Sequence, residues 1–587
     1  MTEYITIDEF TERVRTKEKD MDEAFATTQM IQQTSIEVMS AAASGKVRIL
    51  TDYDADGICS GYIMYRTIKA LNSRCDVEVE CNDRRGSYGL SPDIQGNPEC
   101  QYIVLDMGSN QLPLARERLG ENVIIIDHHP IEDERISNAF KSQNATLHNT
   151  CLCNPHAINI DDSQNAQYCA TGLCYRIYEE AKNISKTQNL YFRTNRKQEN
   201  SISIMAGIGT ISDVVDLMDA NSNNRAIVKK AMQLINNADE NNIDQNIGYL
   251  LTDAGIGLTD VTAKNVAFKV GAYLNAASRM SEVINVNGAQ KMLNALLVDN
   301  IDSRWELDEL KDINTARKSM LLKLRGKDYY NTIEDYRFGE HKDSNVVVYC
   351  LPLGTPSAFC GVIAGFIEEA VDKPAYVLAP KKDSDGNTFY TGSARNADGY
   401  ISLTEFMDKI NGQGFDCKYG GHRDAMGISR LDNFPAFMSA VISADSEAKL
   451  PFKDKPVERL ILSPIEFKSG VLKDKLLQLE PIGQGLELPN IEIEDKIVSS
   501  SIKAKNPNWR TQTMQSGLNI TDWSYSDNSY TQGSDGMTKI LCRIELNDYG
   551  GLHPELTVDY KRDFISENER NLSKSNDKTQ TQLRTSV

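Results

Sequence analysis

Positive charge is in short supply: 64 Lys and Arg stand against 83 Asp and Glu, a net charge of −19 over 587 residues. Such a balance excludes a basic coat that binds polyanions without discrimination, although one basic groove could hide inside that sum. No apolar run is long enough to span a bilayer, and the opening Met1-Thr2-Glu3-Tyr4 does not read as a signal peptide. The expectation is a soluble protein of the cytoplasm, with no membrane partner. Twelve cysteines are too sparse for a disulfide framework, so reduced thiols are expected. Internal repeats are absent. The final stretch, 566–587, is poor in bulky apolar side chains and is expected to be disordered.

One cysteine-bearing region needs weighing: His148, Cys151, Cys153, His156, then Cys169 and Cys174. Zinc sites usually pair their ligands at wider spacings, and Tyr168–Tyr175 reads as the small-residue start of a buried helix. Buried structural thiols are the commoner explanation, with zinc at Cys151 and Cys153 left open.

From 46 to about 215, apolar strand-like runs alternate with helical periodicity, which predicts a doubly wound, mostly parallel α/β sheet. Residues 1–45 look like a helical lead-in. A helical connector follows over 216–340, ending in a long charged helix through Trp305–Arg325. A second α/β unit occupies 341–450, and short strands with polar turns over 451–565 suggest an OB-like β-barrel.

The richest feature is the run Thr51-Asp52-Tyr53-Asp54-Ala55-Asp56-Gly57, directly after the apolar Val47–Leu50. Continued as a strand, it would point Asp52, Asp54 and Asp56 the same way. Two more apolar runs end alike: Tyr102–Leu105 in Asp106, and Val123–Ile126 in Asp127-His128-His129. A fourth, Gly209–Ser212, opens into Asp213. Converging carboxylates repel one another unless a cation neutralises them, and open α/β sheets gather their sites at strand carboxyl ends. Hard carboxylates with an imidazole suit manganese or magnesium better than a thiolate metal. The pattern therefore predicts a metal-dependent hydrolase.

In this order, Asp-Tyr-Asp-Ala-Asp-Gly, Asp106-x-Gly108, Asp127-His128-His129 and Gly209–Asp213 resemble the four motifs of DHH phosphoesterases. Further segments are similar to the RecJ branch. They are Arg84-Arg85-Gly86-Ser87-Tyr88-Gly89-Leu90, Asn275–Met280, Gly420-Gly421-His422 of a DHHA1 domain, and Glu480–Gly485, which the family places in its OB-fold. The match runs from about 46 to 490.

The resemblance implies metal ligation by Asp54, Asp56, Asp106, His128 and Asp213, with one or two Mn2+ or Mg2+ ions. It makes Asp52 and Asp127 partial ligands or neighbours of the ligands, and sets His129 against the scissile phosphate. Leu50 stands where many relatives carry a histidine, so one metal would bind weakly or lean on Asp52 instead. For substrate, the resemblance implies Arg84, Arg85, Tyr88 and Arg279 near the cleft, and Ser393, Arg395, Gly420, Gly421 and His422 at a phosphate. In the barrel, Trp509, Trp523 and Tyr525 are stacking candidates, with Lys503, Lys505 and Arg510 for phosphates.

The implied activity is 5′→3′ exonucleolytic hydrolysis of single-stranded DNA to 5′-mononucleotides, in DNA repair, recombination or replication. Room is left for a single-strand-binding protein or a helicase as partner. Two other readings are a DHH–DHHA1 oligonucleotide or cyclic-dinucleotide phosphodiesterase and a non-catalytic replication scaffold. The Asn-rich composition points to a bacterial or phage genome, hence to a bacterial or phage-infected cytoplasm.

Overall fold

The computed structural model describes residues 2–21, 25–86, 88–131, 136, 146–147, 150–157, 166–257, 261–298, 303–421, 423–450, 457–462, 464–468, 470–503, 506–522, 531–532, 536–548 and 552–558. The chain divides into two compact units: one of residues 11–317 and 476–487, the other of 1–10, 318–475 and 488–587.

The first unit is built on a six-stranded sheet in the order Asp76–Cys81, Lys46–Thr51, Gln101–Leu105, Ile124–Ile126, Thr150–Cys153, Thr146–Leu147. All neighbours are parallel except the last pair. Val47, Ile49, Ile103 and Ile125 are wholly buried, as strands covered on both faces must be. The strand order reverses between Lys46–Thr51 and Gln101–Leu105, and their carboxyl ends open side by side.

Helices Ala55–Leu71, Ala170–Thr187 and Arg196–Ser212 carry the residues that follow those strands. Close helix contact depends on small residues: a Cβ on Gly207 would overlap that of Ala231, and one on Gly209 would overlap Thr171 Oγ1. Gly207→Ala gains about 1 kcal/mol of helix propensity, but the two Cβ atoms sit on rigid backbones and overpacking costs about 1–3 kcal/mol. A lower melting temperature is expected, read by circular dichroism; an unchanged one would show that the helices part without cost. Over residues 224–338 the described elements are helices joined by turns, and Ser303–Leu324 is the expected long charged helix.

In the second unit, a five-stranded sheet runs Cys417–Gly421, Ala425–Leu431, Thr388–Arg395, Ala375–Lys382, Val347–Cys350, and only the last pair is parallel. Tyr376, Phe406 and Phe437 lie in its core. A nine-stranded sheet belongs to the same unit. A strand, Thr2–Thr6, precedes the helices expected at the start of the chain and pairs in parallel with Val457–Ile461. The expected barrel is, among the described residues, an open sheet. Its hydrogen-bonded path ends on Thr2–Thr6 at one side and Ile497–Lys503 at the other, and these two do not pair. The Thr2–Thr6 and Val457–Ile461 strands extend the sheet on the side where closure would be needed.

No described helix is long and apolar enough to cross a membrane. Cys151, Cys153, Cys169 and Cys174 are buried thiols, and burial pushes Cys151 up to about 12. No cysteine enters a metal-capable group among the described residues. His148, the tail 566–587, Lys505, Trp523 and Tyr525 fall outside the described residues, as do the side chains of Lys503 and Trp509.

Candidate metal centre

The three carboxylates of Asp52–Asp56 are gathered by a strand–turn–helix, not by the strand alternation expected from sequence. The strand stops at Thr51, and Asp54 caps the helix Ala55–Leu71, its side chain accepting from the amides of Asp56 (2.9 Å) and Gly57 (3.1 Å). Aspartate favours that cap because it satisfies amides that the first turn leaves open. Gly57 lets the turn close, since a Cβ there would overlap the Asp52 carbonyl oxygen. Asp56 lies in the first helical turn, and its two oxygens accept the amides of Ala170 (2.9 Å) and Thr171 (2.8 Å). These amides open an 18-residue helix whose positive end favours a carboxylate. Sequence reasoning missed this contact; the small residues after Cys169 were its only trace.

Asp106 follows Gln101–Leu105 with φ +60, a left-handed backbone that aspartate tolerates, and its amide donates to the Ile126 carbonyl at 2.9 Å. Asp213 ends the helix Arg196–Ser212, its amide on the Gly209 carbonyl at 3.0 Å. Asp127 is spent on holding its neighbours. Its Oδ1 accepts the amides of His128 (2.8 Å) and His129 (3.2 Å) and lies 2.8 Å from His129 Nδ1, while Oδ2 accepts the Ser109 amide at 3.0 Å.

The donors converge. His128 Nε2 lies 3.3 Å from Asp106 Oδ1 and 3.7 Å from both Asp56 Oδ2 and Asp213 Oδ2. Three groups bring one donor atom from each member within 4.8 Å: Asp52, Asp54 and Asp106; Asp56, His128 and Asp213; and Asp106, His128 and His129. Asp106 and His128 each belong to two groups.

Electrostatics mark the cluster as short of positive charge. Burial, and then Asp54 beside it, pushes Asp52 up to about 8. Burial and the Asp56 carboxylate raise Asp106 well above the ordinary carboxylate range, and the same two causes act on Asp213. Burial and the neighbouring His129 hold His128 below its usual value, so it is a neutral donor. Burial alone would lower His129 too, but its bond to Asp127 outweighs that and brings it up to about 9. Asp52 Oδ1 is buried without a hydrogen-bond partner. Repelling carboxylates, a neutral imidazole and an orphaned oxygen fit a hard divalent cation, so this Asp/His cluster can bind one.

Around it, the Tyr88 hydroxyl sits 3.0 Å from His129 Nε2 and 3.2 Å from Nδ1, and 3.4 Å from the Asp106 carbonyl oxygen. Its ring is half exposed. The Arg84 guanidinium lies over the Tyr53 ring at 4.6 Å, with a buried Nη1 that has no hydrogen-bond partner. Arg85 is turned to Asp83 and Asn285. Arg279 ends the helix Ala272–Arg279. Leu50 packs in the core with Tyr102 and Val104 and offers no ligand.

In the other unit, Ser393 and Arg395 share the strand Thr388–Arg395 and face the start of the helix Cys360–Val371. A Cβ on Gly361 would lie 3.2 Å from Arg395 Nη2 and 3.6 Å from Ser393 Oγ. Gly420 is open, since a Cβ there would meet no atom within 4 Å, whereas Gly421 is folded tightly against Ala425. His422 falls outside the described residues.

Fold and site together define a DHH-type α/β domain: residues 46–192 match the family described as "DHH family, N-terminal domain". Beyond those residues, the chain is similar to RecJ proteins. The single-stranded-DNA-specific exonuclease RecJ of Thermus thermophilus is 24% identical over 486 residues, 80% of this chain and 62% of that protein. The exonuclease of the same name from Escherichia coli is 24% identical over 425 residues, 69% of this chain and 67% of its own. The chain thus spans less than two thirds of the Thermus relative's length. The crystal structure of Thermus thermophilus RecJ in complex with Mn2+ aligns with a TM-score of 0.64 at 20% identity, over 90% of this chain and 71% of that one. A fold in common is what that likeness carries.

Proposed function

We propose that this chain is a divalent-metal-dependent exonuclease that hydrolyses single-stranded DNA from its 5′ end to 5′-mononucleotides, serving DNA repair, recombination or replication. The observation that carries this reading is the overlap of metal-capable groups through Asp106 and His128 at the carboxyl ends of a parallel sheet. Asp54, Asp56, Asp106, His128 and Asp213 would hold one or two Mn2+ or Mg2+ ions, with Asp52 taking the place left by Leu50. Bound there, such ions supply a nucleophilic water at neutral pH and a sink for charge on the phosphoryl oxygens.

The chain's own residues do the rest. The Ala170 and Thr171 amides fix Asp56 so that its carboxylate need not reorganise. His129, raised to about 9 with Asp127 behind it, stays protonated near neutral pH and can stabilise charge on the phosphoryl oxygens. Tyr88 steadies that imidazole while offering its exposed ring to a base. Arg84 is available to a neighbouring phosphate. Ser393 and Arg395, beside a helix start, would take up a phosphate in the second unit, with Gly420 allowing close approach. The OB-like function of the nine-stranded sheet, with Arg510 on one strand, belongs to the same proposal.

Asp127→Asn tests the proton held on His129. Losing the carboxylate lets the imidazole fall toward its ordinary value near 6.5, so activity should end at lower pH on the alkaline side. The rate at pH 8 should drop by about 30-fold, the loss of protonated imidazole between values of about 9 and about 6.5. A pH–rate profile with its alkaline limb unmoved would remove His129 from this role.

The reading as a whole is tested by digesting 5′-labelled and 3′-labelled single-stranded oligonucleotides with Mn2+, beside Asp106→Ala. Labelled mononucleotide released at once from the 5′ end, and lost in the variant, is the expected result. Cleavage of dinucleotides with long strands untouched would replace it by a short-substrate phosphodiesterase. No hydrolysis of either would replace it by a scaffold.

A further inference from the structure

The turn after Asp213 is strained. Val214 has φ +59, a left-handed backbone that β-branched residues rarely adopt, and its side chain is 63% exposed, so no packing of its own explains the conformation. Such a residue persists only where its surroundings over-determine it. On the upstream side the helix Arg196–Ser212 supplies one restraint. On the downstream side, Leu217 is fully buried and donates its amide to the carbonyl of Gln484 at 2.9 Å. Gly485, at φ +78, lies against Asp216 so closely that a Cβ would overlap the carboxylate. A Cβ on Gly483 would stand 3.2 Å from Leu217 Cδ1 and 3.4 Å from Ile211 Cδ1.

The segment that supplies these contacts is itself anchored. Arg225, 3% exposed, donates to the carbonyls of Leu479 (2.9 Å) and Pro481 (2.5 Å) and pairs with Glu18. The buried Glu480 accepts the amides of Ala263 and Ile482, both at 3.0 Å. Residues 476–487 therefore group with the metal-bearing unit, although their neighbours on both sides belong to the other.

We propose that Glu480–Gly485 is a positioning element of the metal centre, a clamp that holds the Val214–Leu217 turn and so fixes where Asp213 directs its carboxylate. It rests on the reading of Asp213 as a metal ligand. The Gln484 carbonyl and the bare Cα of Gly485 are its working parts.

The test measures Mn2+ binding to the full-length chain by electron paramagnetic resonance of the unbound ion, with melting temperatures in chelator alongside. Gly485→Ala drives a Cβ into Asp216 and should weaken binding about tenfold. Adding Asp216→Ala removes the obstruction but leaves the strain of a side chain at φ +78, so it should recover part of that loss. Mn2+ affinity within twofold of the wild type in Gly485→Ala overturns the clamp, as does a loss that the second substitution leaves untouched. Should Gly485→Ala fail to fold, Gly483→Ala presses on Leu217 more gently; about threefold weaker binding supports the clamp and unchanged binding overturns it. Asp213→Ala is the separate control. Unaltered binding there would remove Asp213 from the ligand set, and the clamp with it.

Discussion

Asp106→Asn should lose hydrolysis by on the order of 10³-fold or more while melting at a higher temperature than the wild type in chelator. The two effects have one cause. Asp106 is buried among Asp52, Asp54, Asp56 and Asp213, and burial with those neighbours holds its carboxyl far from its ordinary range. A metal-assisted step is worth several kcal/mol, and at about 1.4 kcal/mol per tenfold a misplaced charge sink removes about three orders of magnitude. Asparagine keeps the shape and tolerates the left-handed backbone at this position, so repulsion is what the substitution takes away. A gain of about 3–5 °C in chelator is expected, turning into a deficit once Mn2+ is added. Differential scanning calorimetry with and without Mn2+ reads both; a lower melting temperature in chelator would mean that the cluster is not frustrated.

The second large effect is on pH. Asp52, Asp106 and Asp213 are raised in the folded state, so the folded protein binds more protons than the unfolded chain above the ordinary carboxylate range. Stability in chelator must then fall as pH rises, from near 4 through the value of about 8 at Asp52. His129, raised to about 9, adds a contribution present below its unfolded value and lost as pH climbs through 9. His128 is lowered and works the other way, costing stability only as pH drops below about 6.5. Asp127 is lowered, and its contribution goes only in acid. The melting temperature in chelator should thus decline between pH 6.5 and 9, by on the order of 5 °C, and saturating Mn2+ should flatten the slope. A melting temperature that rises over that interval in chelator would contradict the charge balance assigned to the cluster.

Much of this was legible in the sequence because strand ends are. Val47–Leu50, Tyr102–Leu105 and Val123–Ile126 are apolar runs of strand length, and each breaks at an ionisable residue. Parallel sheets put such breaks on one edge. The geometry inside each break was not legible. Alternation along a strand suggested how Asp52, Asp54 and Asp56 converge, whereas capping decides it, because a helix begins four residues after the strand stops. The amides that hold Asp56 come from more than a hundred residues away. Nothing local announces that distance. Glu480–Gly485 resembled part of a following domain, yet Arg225 and Glu480 tie it to the metal unit through buried polar contacts that no periodicity encodes. Among the described residues the expected barrel is an open sheet, in which Thr2–Thr6, far off in the chain, takes an end place.

That strand pairing sets a clock. Thr2 pairs with Val457, so a nascent chain offers its first strand long before the partner emerges from the ribosome. At about 5–20 residues per second, the wait is roughly 20–90 s. Throughout it, the edge of Thr2–Thr6 has no native strand beside it, while the sheet of residues 46–153 has all its sequence once residue 153 is made. The six-stranded sheet can therefore assemble during synthesis, whereas the nine-stranded sheet waits for Val457–Ile461 and the metal unit for residues 476–487.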